Sequence, residues 1–310
     1  MNDKLLGILS CPLCKSSFRY SGKTITCGEG HMFLVVDGIP NLIPQIERYK
    51  KTELSFSKEW GIMKKEGIPD MDNVRKLFLN DFNTTKEKMK GKYTLEAGCG
   101  RGYLEMAVSE LVGKRGLAVG LDMSTSIMMY SNRKNNLSKI PDSAQYVRGN
   151  IDRAPFKKGS FDMIYSFGVL HHTPNTYNAF KTLLPLLKKR GKFYLGLYRK
   201  DRKDDTKIVS LIYASRGFVN KLPITMIYAI CWILAPFAKV YAEINTRNGR
   251  RPAFNKTTKE FMWSLFDHFS PEYVHRHTIT EIEEWFRKEG FKTELKMEDR
   301  IGFAVLGTKK

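Results

Sequence analysis

Apolar residues between positions 91 and 200 fall into short β-type runs, which alternate with stretches where apolar residues recur at helical spacing. The runs predict strands, and the spaced stretches predict helices joined by short connections. The predicted strands are 93–97, 116–121, 144–147, 161–166 and 192–197, and the predicted helices are 102–112, 124–136 and 175–189. This alternation is typical of a parallel, doubly wound α/β sheet.

The end of the chain resumes the same alternation after a long interruption. Residues 280–288 have helical spacing, and 291–296 and 301–306 are β-type runs. Glu289 and Gly290 provide a plausible end for the helix. These last elements are predicted to complete the sheet.

The other segments differ in composition and predict separate units. The first combines cysteines with turn residues, the second has spaced apolar residues among charges of both signs, and the interruption is predicted to be a helical insertion that caps the substrate. We therefore predict an N-terminal module at 1–44, a helical linker or lid at 45–90, a cofactor-binding core at 91–200, a helical insertion at 201–275 and the closing elements at 276–310.

Composition excludes wholesale disorder and predicts an anionic partner. The chain has 310 residues, of which 42% are hydrophobic, enough to bury a core. Lysine and arginine total 52 against 32 acidic residues, so the net charge is +20. Such an excess favours nucleic acid, an acidic membrane surface or an anionic substrate.

The positive charge is concentrated around an apolar stretch. Residues 186–256 carry +12 of the +20, and within them 222–238 contains no charged residue. Apolar sequence between basic flanks is typical of an element at a membrane interface, and equally of a buried cap helix with solvated flanks. The uncharged run has 17 residues and contains Pro223 and Pro236, which argues against a spanning helix. We expect a cytoplasmic protein that can make peripheral contact with an anionic membrane.

A glycine-rich turn follows the first predicted strand of the core. Gly98, Gly100 and Gly102 lie within Glu96-Ala-Gly-Cys-Gly-Arg-Gly, between a strand and a helix. Glycines there permit a tight turn and let a ligand approach the backbone. A dinucleotide fingerprint would need its third glycine at position 103, which is tyrosine. The turn therefore indicates a smaller cofactor than a dinucleotide.

Three further motifs follow at the ends of successive strands. Asp122 ends the second strand, Gly149-Asn-Ile-Asp follows the third, and the fourth runs into Ser166-Phe-Gly-Val-Leu-His-His. In this order, the motifs resemble class I S-adenosylmethionine-dependent methyltransferases, in the small-molecule branch that includes quinone-biosynthesis enzymes. The resemblance covers about 91–200, with 277–310 completing the sheet, and it implies a Rossmann-like methyltransferase fold.

The resemblance also implies roles for individual residues. Glu96 and the backbone of the three glycines would hold the methionine part of the cofactor, and Asp122 would bind its ribose. Asn150 and the backbone of Ile151 would read adenine, although many members of the family have aspartate at the position of Asn150. Ser166 and Phe167 would lie beside the sulfonium.

The acceptor side carries a pair of histidines. Asn/Asp-Pro-Pro-Tyr motifs, common in nucleic-acid amine methyltransferases, are absent after the fourth strand, and His171 and His172 stand where the acceptor should approach. Either imidazole has a pKa suited to a general base. A histidine at this point can equally cap the turn or pack beneath the site.

The N-terminal cysteines have the spacing of a metal site. Cys11, Cys14, Cys27 and His31 form the pattern C-x2-C-x12-C-x3-H. Four such ligands close a tetrahedral site, so the predicted zinc is structural. The segment is similar to zinc-ribbon modules that are fused to, or partner, methyltransferases. The alternative is a set of reduced thiols in a small β unit.

The sequence thus favours a methyltransferase that uses S-adenosyl-L-methionine and acts on a small-molecule or lipid-like acceptor, with an anionic acceptor as one option. One alternative is a methyltransferase of ribosomal or transfer RNA, with the zinc ribbon as RNA reader. Another is a catalytically silent module that binds the cofactor or a partner protein. The sequence leaves the oligomeric state open.

Overall fold

The computed structural model describes residues 1–44, 50–62, 69–128, 141–200, 207–247, 257–299 and 301–310. Within these ranges the helices are α1 Asp3–Ile8, α2 Lys50–Ile62, α3 Met71–Asp81, α4 Lys86–Met89, α5 Tyr103–Val112, α6 Thr176–Leu183, α7 Lys207–Val219, α8 Ile224–Arg247, α9 Thr258–Phe269 and α10 Ile279–Lys288. The strands are β1 Phe18–Tyr20, β2 Thr24–Cys27, β3 Met32–Val36, β4 Ile39–Pro40, β5 Tyr93–Ala97, β6 Leu117–Asp122, β7 Ala144–Arg148, β8 Phe161–Phe167, β9 Leu187–Tyr198, β10 Phe291–Glu298 and β11 Gly302–Lys309.

Seven of these strands form one sheet in the order β10-β11-β9-β8-β5-β6-β7. Strands β5 to β9 are parallel, whereas β11 runs antiparallel to both β9 and β10. The predicted α/β class with a Rossmann-like sheet is confirmed. Because parallel strands start and end together, β5, β6, β7 and β8 bring their carboxyl ends to one edge, where ligands bind in such sheets.

The continuous apolar runs arise because the sheet is covered on both faces. Every residue of β6 is buried. Leu117 and Val119 belong to the larger apolar cluster on one face, while Ala118 lies in a second cluster with Phe78 and Val108 on the other. A strand buried on both faces loses the polar alternation of a half-exposed strand.

Two of the predicted helices need correction or fall partly outside the described residues. The helix predicted at 175–189 ends at Leu183, and a short 3-10 turn, Leu184–Leu186, leads into β9 at Leu187. Pro185 lies in that turn and cannot donate the hydrogen bond that would continue the helix. Of the helix predicted at 124–136, the structure describes only the 3-10 turn Thr125–Met128, and the rest lies outside the described residues.

The N-terminal unit, residues 1–44, is a small antiparallel sheet of β1 to β4 that shares a core with the large sheet. Its Leu5, Leu9 and Ile25 are fully buried in the same cluster as Leu95 and Val119. The amide of Ser10 donates to the carbonyl of Pro155 at 2.9 Å, and the amide of Leu42 donates to that of Arg148 at 2.7 Å. The unit is therefore anchored beside the end of β7.

The described part of the insertion is a helical cap made of α7, α8 and α9. Its core is a separate apolar cluster that includes Ile227, Cys231, Met262 and Phe266. Helix α8 continues through Pro236, and within the described residues Ile224–Ile244 is the one helix long and apolar enough to cross a membrane. The domain boundaries stay a prediction.

Candidate active site

A cavity of about 390 Å³ lies at the carboxyl edge of the sheet, beneath α2 and α9. Its volume is in the range of small-molecule sites, roughly 300–1,000 Å³. Eight of the predicted site residues line it: Glu96, Gly98, Gly100, Asp122, Asn150, Ile151, Phe167 and His172. Gly102, Ser166 and His171 lie outside the lining.

The glycine turn is shaped by left-handed backbone and close packing. Gly98 and Gly102 have φ values of 92° and 69°, and a Cβ on either would clash. It would approach a methyl carbon of Val169 at 2.3 Å in the first case and the ring of Tyr146 at 2.4 Å in the second. Gly98 therefore lets Val169 pack against the turn at the cavity wall, whereas Gly102 lets the ring of Tyr146 pack at the start of α5.

Asp122 closes the turn from the neighbouring strand. Its Oδ2 accepts from the amide of Gly100 at 2.7 Å, and its Oδ1 accepts from the amide and hydroxyl of Ser124 at 2.8 and 2.7 Å. Burial raises the pKa of Asp122, while these hydrogen bonds act in the opposite direction. The carboxylate is thus held in one orientation at the cavity wall, where its remaining lone pairs can accept from ligand hydroxyls.

Glu96 forms a buried carboxyl pair with Glu105 of α5. Burial raises the pKa of Glu96 well above its ordinary value, and the neighbouring Glu105 adds to this effect. Burial likewise raises the pKa of Glu105 to about 7, although its hydrogen bond with Glu96 opposes the rise. Oε2 of each carboxyl has no hydrogen-bond partner among the described residues. Of the two carboxyls only Glu96 lines the cavity, so its Oε2 is the one placed to hydrogen-bond a ligand there.

Asn150 and Ile151 open a short 3-10 turn after β7. The Oδ1 of Asn150 accepts from the amide of Asp152 at 2.8 Å, so the side-chain acceptor already caps its own turn. The N-terminal unit supports this turn from behind, because the ammonium of Lys15 donates to the carbonyl of Ala154 at 3.1 Å.

The two histidines have different surroundings. His171 is fully buried outside the cavity lining, with its ring centroid 4.0 Å from that of Tyr198. His172 lines the cavity, and its Nδ1 donates to the carbonyl of Tyr273 at 3.0 Å. Since a carbonyl only accepts, this bond leaves the lone pair of a neutral His172 on Nε2. Burial lowers the pKa of His172, which favours the neutral form.

Ser166 lies beneath the site. Its hydroxyl donates to the carbonyl of Ala97 at 2.9 Å and thereby ties β8 to the start of the glycine turn. Phe167, the next residue, is 46% exposed and lines the cavity.

Three further ionisable or hydroxyl residues line the cavity, and sequence reasoning did not single them out as site residues. Glu59 comes from α2, Tyr198 from the end of β9 and Asp267 from α9. Oδ1 of Asp267 lies 3.6 Å from Nε2 of His172, and the phenol of Tyr198 donates to Oδ2. The pKa of Glu59 is raised well above its ordinary value by burial and by Asp267. The available signal was the spacing of Thr52, Ser55 and Glu59, polar residues on one helix face.

Buried polar atoms without partners converge on this cavity. Among the described residues, Thr52 Oγ1, Glu59 Oε2, Glu96 Oε2 and His172 Nε2 have no hydrogen-bond partner, and all four residues line the cavity. Buried polar groups are nearly always satisfied in folded proteins. A cavity that collects such atoms is built to hydrogen-bond a ligand.

A family model described as a methyltransferase domain matches residues 95–195, from the first core strand to β9. The matched range contains the glycine turn, Asp122, Asn150 and both histidines. Residues 95–195 form a class I S-adenosylmethionine-dependent methyltransferase domain.

Curated relatives of this methyltransferase domain have names from quinone biosynthesis. A demethylmenaquinone methyltransferase of Lactococcus lactis subsp. lactis (strain IL1403) is 30% identical over 104 residues, 34% of this chain and 41% of that protein. A ubiquinone biosynthesis O-methyltransferase of Coxiella burnetii (strain Dugway 5J108-111) is 30% identical over 116 residues, 37% of this chain and 47% of that protein. The chain thus spans less than half the length of these relatives.

Solved structures that the chain matches include the magnesium protoporphyrin IX methyltransferase of Synechocystis PCC 6803 with bound SAH. It is 13% identical, with a TM-score of 0.48, and the match covers 85% of this chain and 98% of that protein.

A second cluster lies in the N-terminal unit, apart from the cavity of the methyltransferase domain. One ligand atom each from Cys11, Cys14, Cys27 and His31 falls within 4.8 Å of the others. The sulfurs of Cys14 and Cys27 are 3.6 Å apart, and Nδ1 of His31 is 3.3 Å from the sulfur of Cys27. Tetrahedral zinc with Zn–S bonds of about 2.3 Å separates its sulfurs by roughly 3.8 Å. The donors and their spacing fit such an ion.

Proposed function

We propose that the protein is an S-adenosylmethionine-dependent methyltransferase acting on a small, largely apolar acceptor that carries a hydroxyl or another ionisable group. The convergence of unpartnered polar atoms on one cavity carries this proposal. Phe56, Phe167 and Val169 supply apolar surface, and Glu59 and His172 supply polar contacts. The names of the curated relatives support an acceptor of the quinone type.

The two sides of the cavity would bind different molecules, the cofactor on one side and the acceptor on the other. Glu96, the glycine turn, Asp122 and Asn150 would bind the cofactor, which supplies an electrophilic methyl group when bound. Thr52, Phe56 and Glu59 of α2 would orient the acceptor from the opposite side. Transfer is an in-line displacement, so alignment is the chief contribution of the protein.

His172 is the proposed general base. Its Nε2 lone pair would take the proton of the acceptor as that group becomes nucleophilic. The nearby carboxylate of Asp267 would stabilise the imidazolium that forms, and the phenol of Tyr198 holds this carboxylate in place. Glu59, whose raised pKa favours the neutral acid, would donate a hydrogen bond to an acceptor oxygen. His171 has no comparable access to the cavity.

We also propose that the Cys/His cluster of the N-terminal unit holds structural zinc. Four protein ligands fill a tetrahedral site and leave no position for reacting water. A unit of this size has little core of its own, so the metal would supply part of its folding energy.

Methyl transfer from labelled S-adenosylmethionine tests the function directly. The protein is incubated separately with a lipid extract, an aqueous metabolite extract and total RNA, with Asp122→Ala as the control. Label in an extractable small molecule, absent with the control, supports the proposal. Label in RNA would overturn the acceptor class. Binding of S-adenosylhomocysteine without transfer to any fraction would favour a silent module.

A further inference from the structure

The helical cap carries an apolar surface on the side opposite its own core. On α8, Ile227, Cys231 and Ala235 are buried at intervals of four residues against α9. Outside this buried stripe the helix exposes Met226, Trp232, Ile233, Leu234, Phe237, Val240 and Ile244. Phe237 is 70% exposed and Ile233 is 65% exposed. We define the outer face of the cap as these seven residues. Soluble proteins seldom leave a contiguous apolar patch of this kind uncovered.

The charge around the outer face selects its partner. The stretch 222–238 has no charged residue, whereas the residues that flank it in sequence, 199–221 after β9 and 239–256, each carry a net charge of +4. A second copy of the chain would bring the same positive charge, and RNA offers no apolar layer for the outer face. An anionic bilayer offers both an apolar interior and negative headgroups.

We propose that the outer face of the cap docks on the surface of an anionic lipid bilayer. Helix α8 would lie in the interface rather than span the membrane, because its buried stripe packs on Met262 and Phe266 of α9. If α8 spanned the membrane, this buried stripe would lose its contacts with α9. In the docked orientation the outer face enters the headgroup region, and the exposed Lys221 just before α8 would contact lipid phosphates.

The placement of α9 connects the docked surface to the active site. Helix α9 packs on α8, and its Asp267 lines the cavity. Arg216 of α7 ties the same end of α9, because its guanidinium donates to the carbonyl of His268 at 3.0 Å. This part of the inference rests on the proposed function. A lipid-like acceptor would pass into the cavity directly from the bilayer on which the helical cap is docked.

Vesicle sedimentation tests the docking. The full chain is mixed with vesicles of equal parts phosphatidylglycerol and phosphatidylcholine, or of phosphatidylcholine alone, at low and high salt. We expect binding to the anionic vesicles only, weakened by salt. The double variant I233E/F237E should lower the vesicle partition coefficient about tenfold or more. The matched control is Leu77→Glu on α3, where a leucine is 54% exposed outside the cap.

Three outcomes would overturn the inference. The first is that the double variant binds anionic vesicles as strongly as the wild type does. The second is that the wild type binds neutral and anionic vesicles equally. The third is that the wild type binds no vesicles and light scattering shows a dimer, which the double variant dissociates. Calorimetry with S-adenosylhomocysteine separates this test from that of the function. If the protein binds S-adenosylhomocysteine but not vesicles, only the docking proposal is wrong. If it binds vesicles but not S-adenosylhomocysteine, only the proposed function is wrong.

Discussion

The two sides of the cavity are built in different ways. The side proposed to bind the cofactor, the cofactor side, comes from one stretch of chain between Glu96 and Ile151, where successive strand ends supply a turn, a carboxylate and a short loop. The acceptor side gathers Glu59 from α2, His172 from the turn after β8, Tyr198 from β9 and Asp267 from α9. More than 200 residues of sequence separate the first of these from the last.

This difference follows from what each side has to recognise. A cofactor of fixed chemistry can be held by a local motif whose spacing survives in sequence. An acceptor pocket is set by which distant side chains the lid and the cap bring together. Variants on the two sides should therefore separate cofactor binding from methyl transfer.

The largest expected effect is on the acceptor side. His172→Gln removes the proposed base and should lower the rate of methyl transfer by about 10²- to 10⁴-fold. Affinity for S-adenosylhomocysteine should stay within about twofold, since the Asp122 side is untouched. Labelled transfer and calorimetry on the same preparation measure both.

His171→Gln is the matched control for that variant. Because His171 lies outside the cavity lining, its transfer rate should stay within about tenfold of the wild type. A rate lost in His171→Gln and kept in His172→Gln would reverse the assignment of the two histidines.

On the cofactor side, Asp122→Ala should weaken binding of S-adenosylhomocysteine by about 100-fold, because charged hydrogen bonds to the ribose are lost. Ser124→Ala removes only one bond that orients the carboxylate, and about fivefold is expected. Calorimetric titration gives both affinities. Equal affinity in Asp122→Ala and wild type would show that the ribose binds elsewhere.

The carboxyl pair gives the cofactor side a pH dependence. Burial raises the pKa of Glu105 from 4.5 to about 7, so the folded protein binds this proton more tightly than the unfolded chain. The resulting contribution to stability is present below about pH 4.5 and is lost as pH rises through about 7. Glu105→Gln should therefore raise the free energy of unfolding at pH 8 by about 3 kcal/mol.

Urea unfolding at pH 6 and pH 8 measures this difference. The wild type should lose stability between the two values, and Glu105→Gln should lose less. Identical pH slopes in both proteins would exclude Glu105 as the titrating group; Glu96 and Asp122 would then remain as candidates.

A smaller effect should reach the cofactor side from the N-terminal unit. Cys14→Ser should abolish zinc binding and loosen the contacts of Ser10 and Lys15 with the turn that follows Asn150. We expect about tenfold weaker binding of S-adenosylhomocysteine, or about 1.4 kcal/mol. Metal analysis and calorimetry test this, with Cys231→Ala in the cap as the control. Full zinc content in Cys14→Ser would show that the ligand set is wrong.

The smallest expected change lies again on the acceptor side. Asp267 raises the pKa of His172 against the stronger effect of burial. Removing that charge in Asp267→Asn should move the acidic limb of the transfer rate to lower pH. A pH–rate profile measures this shift. An acidic limb at the same pH in the variant and the wild type would show that Asp267 does not influence the pKa of the catalytic base.

Much of the core was predictable because its patterns are local. The strands starting at Tyr93 and Phe161 and the glycine turn follow from runs of apolar residues and from glycine spacing. The helix predicted at 175–189 was too long because its apolar residues continue past Pro185 into a buried strand. Glu59 and Asp267 were missed because a lone acidic residue in a helix is usually solvated, and only packing shows that these two face a cavity.

The sequence by itself determined the methyltransferase class and brought forward the residues proposed for the cofactor side, because strand ends and turn glycines lie close together along the chain. It also determined the spacing of four metal-type ligands. Only the tertiary structure decided which histidine lines the cavity, which carboxyls face it and which side of α8 is left uncovered. Burial and orientation decide these features, and both depend on contacts between segments far apart in the chain.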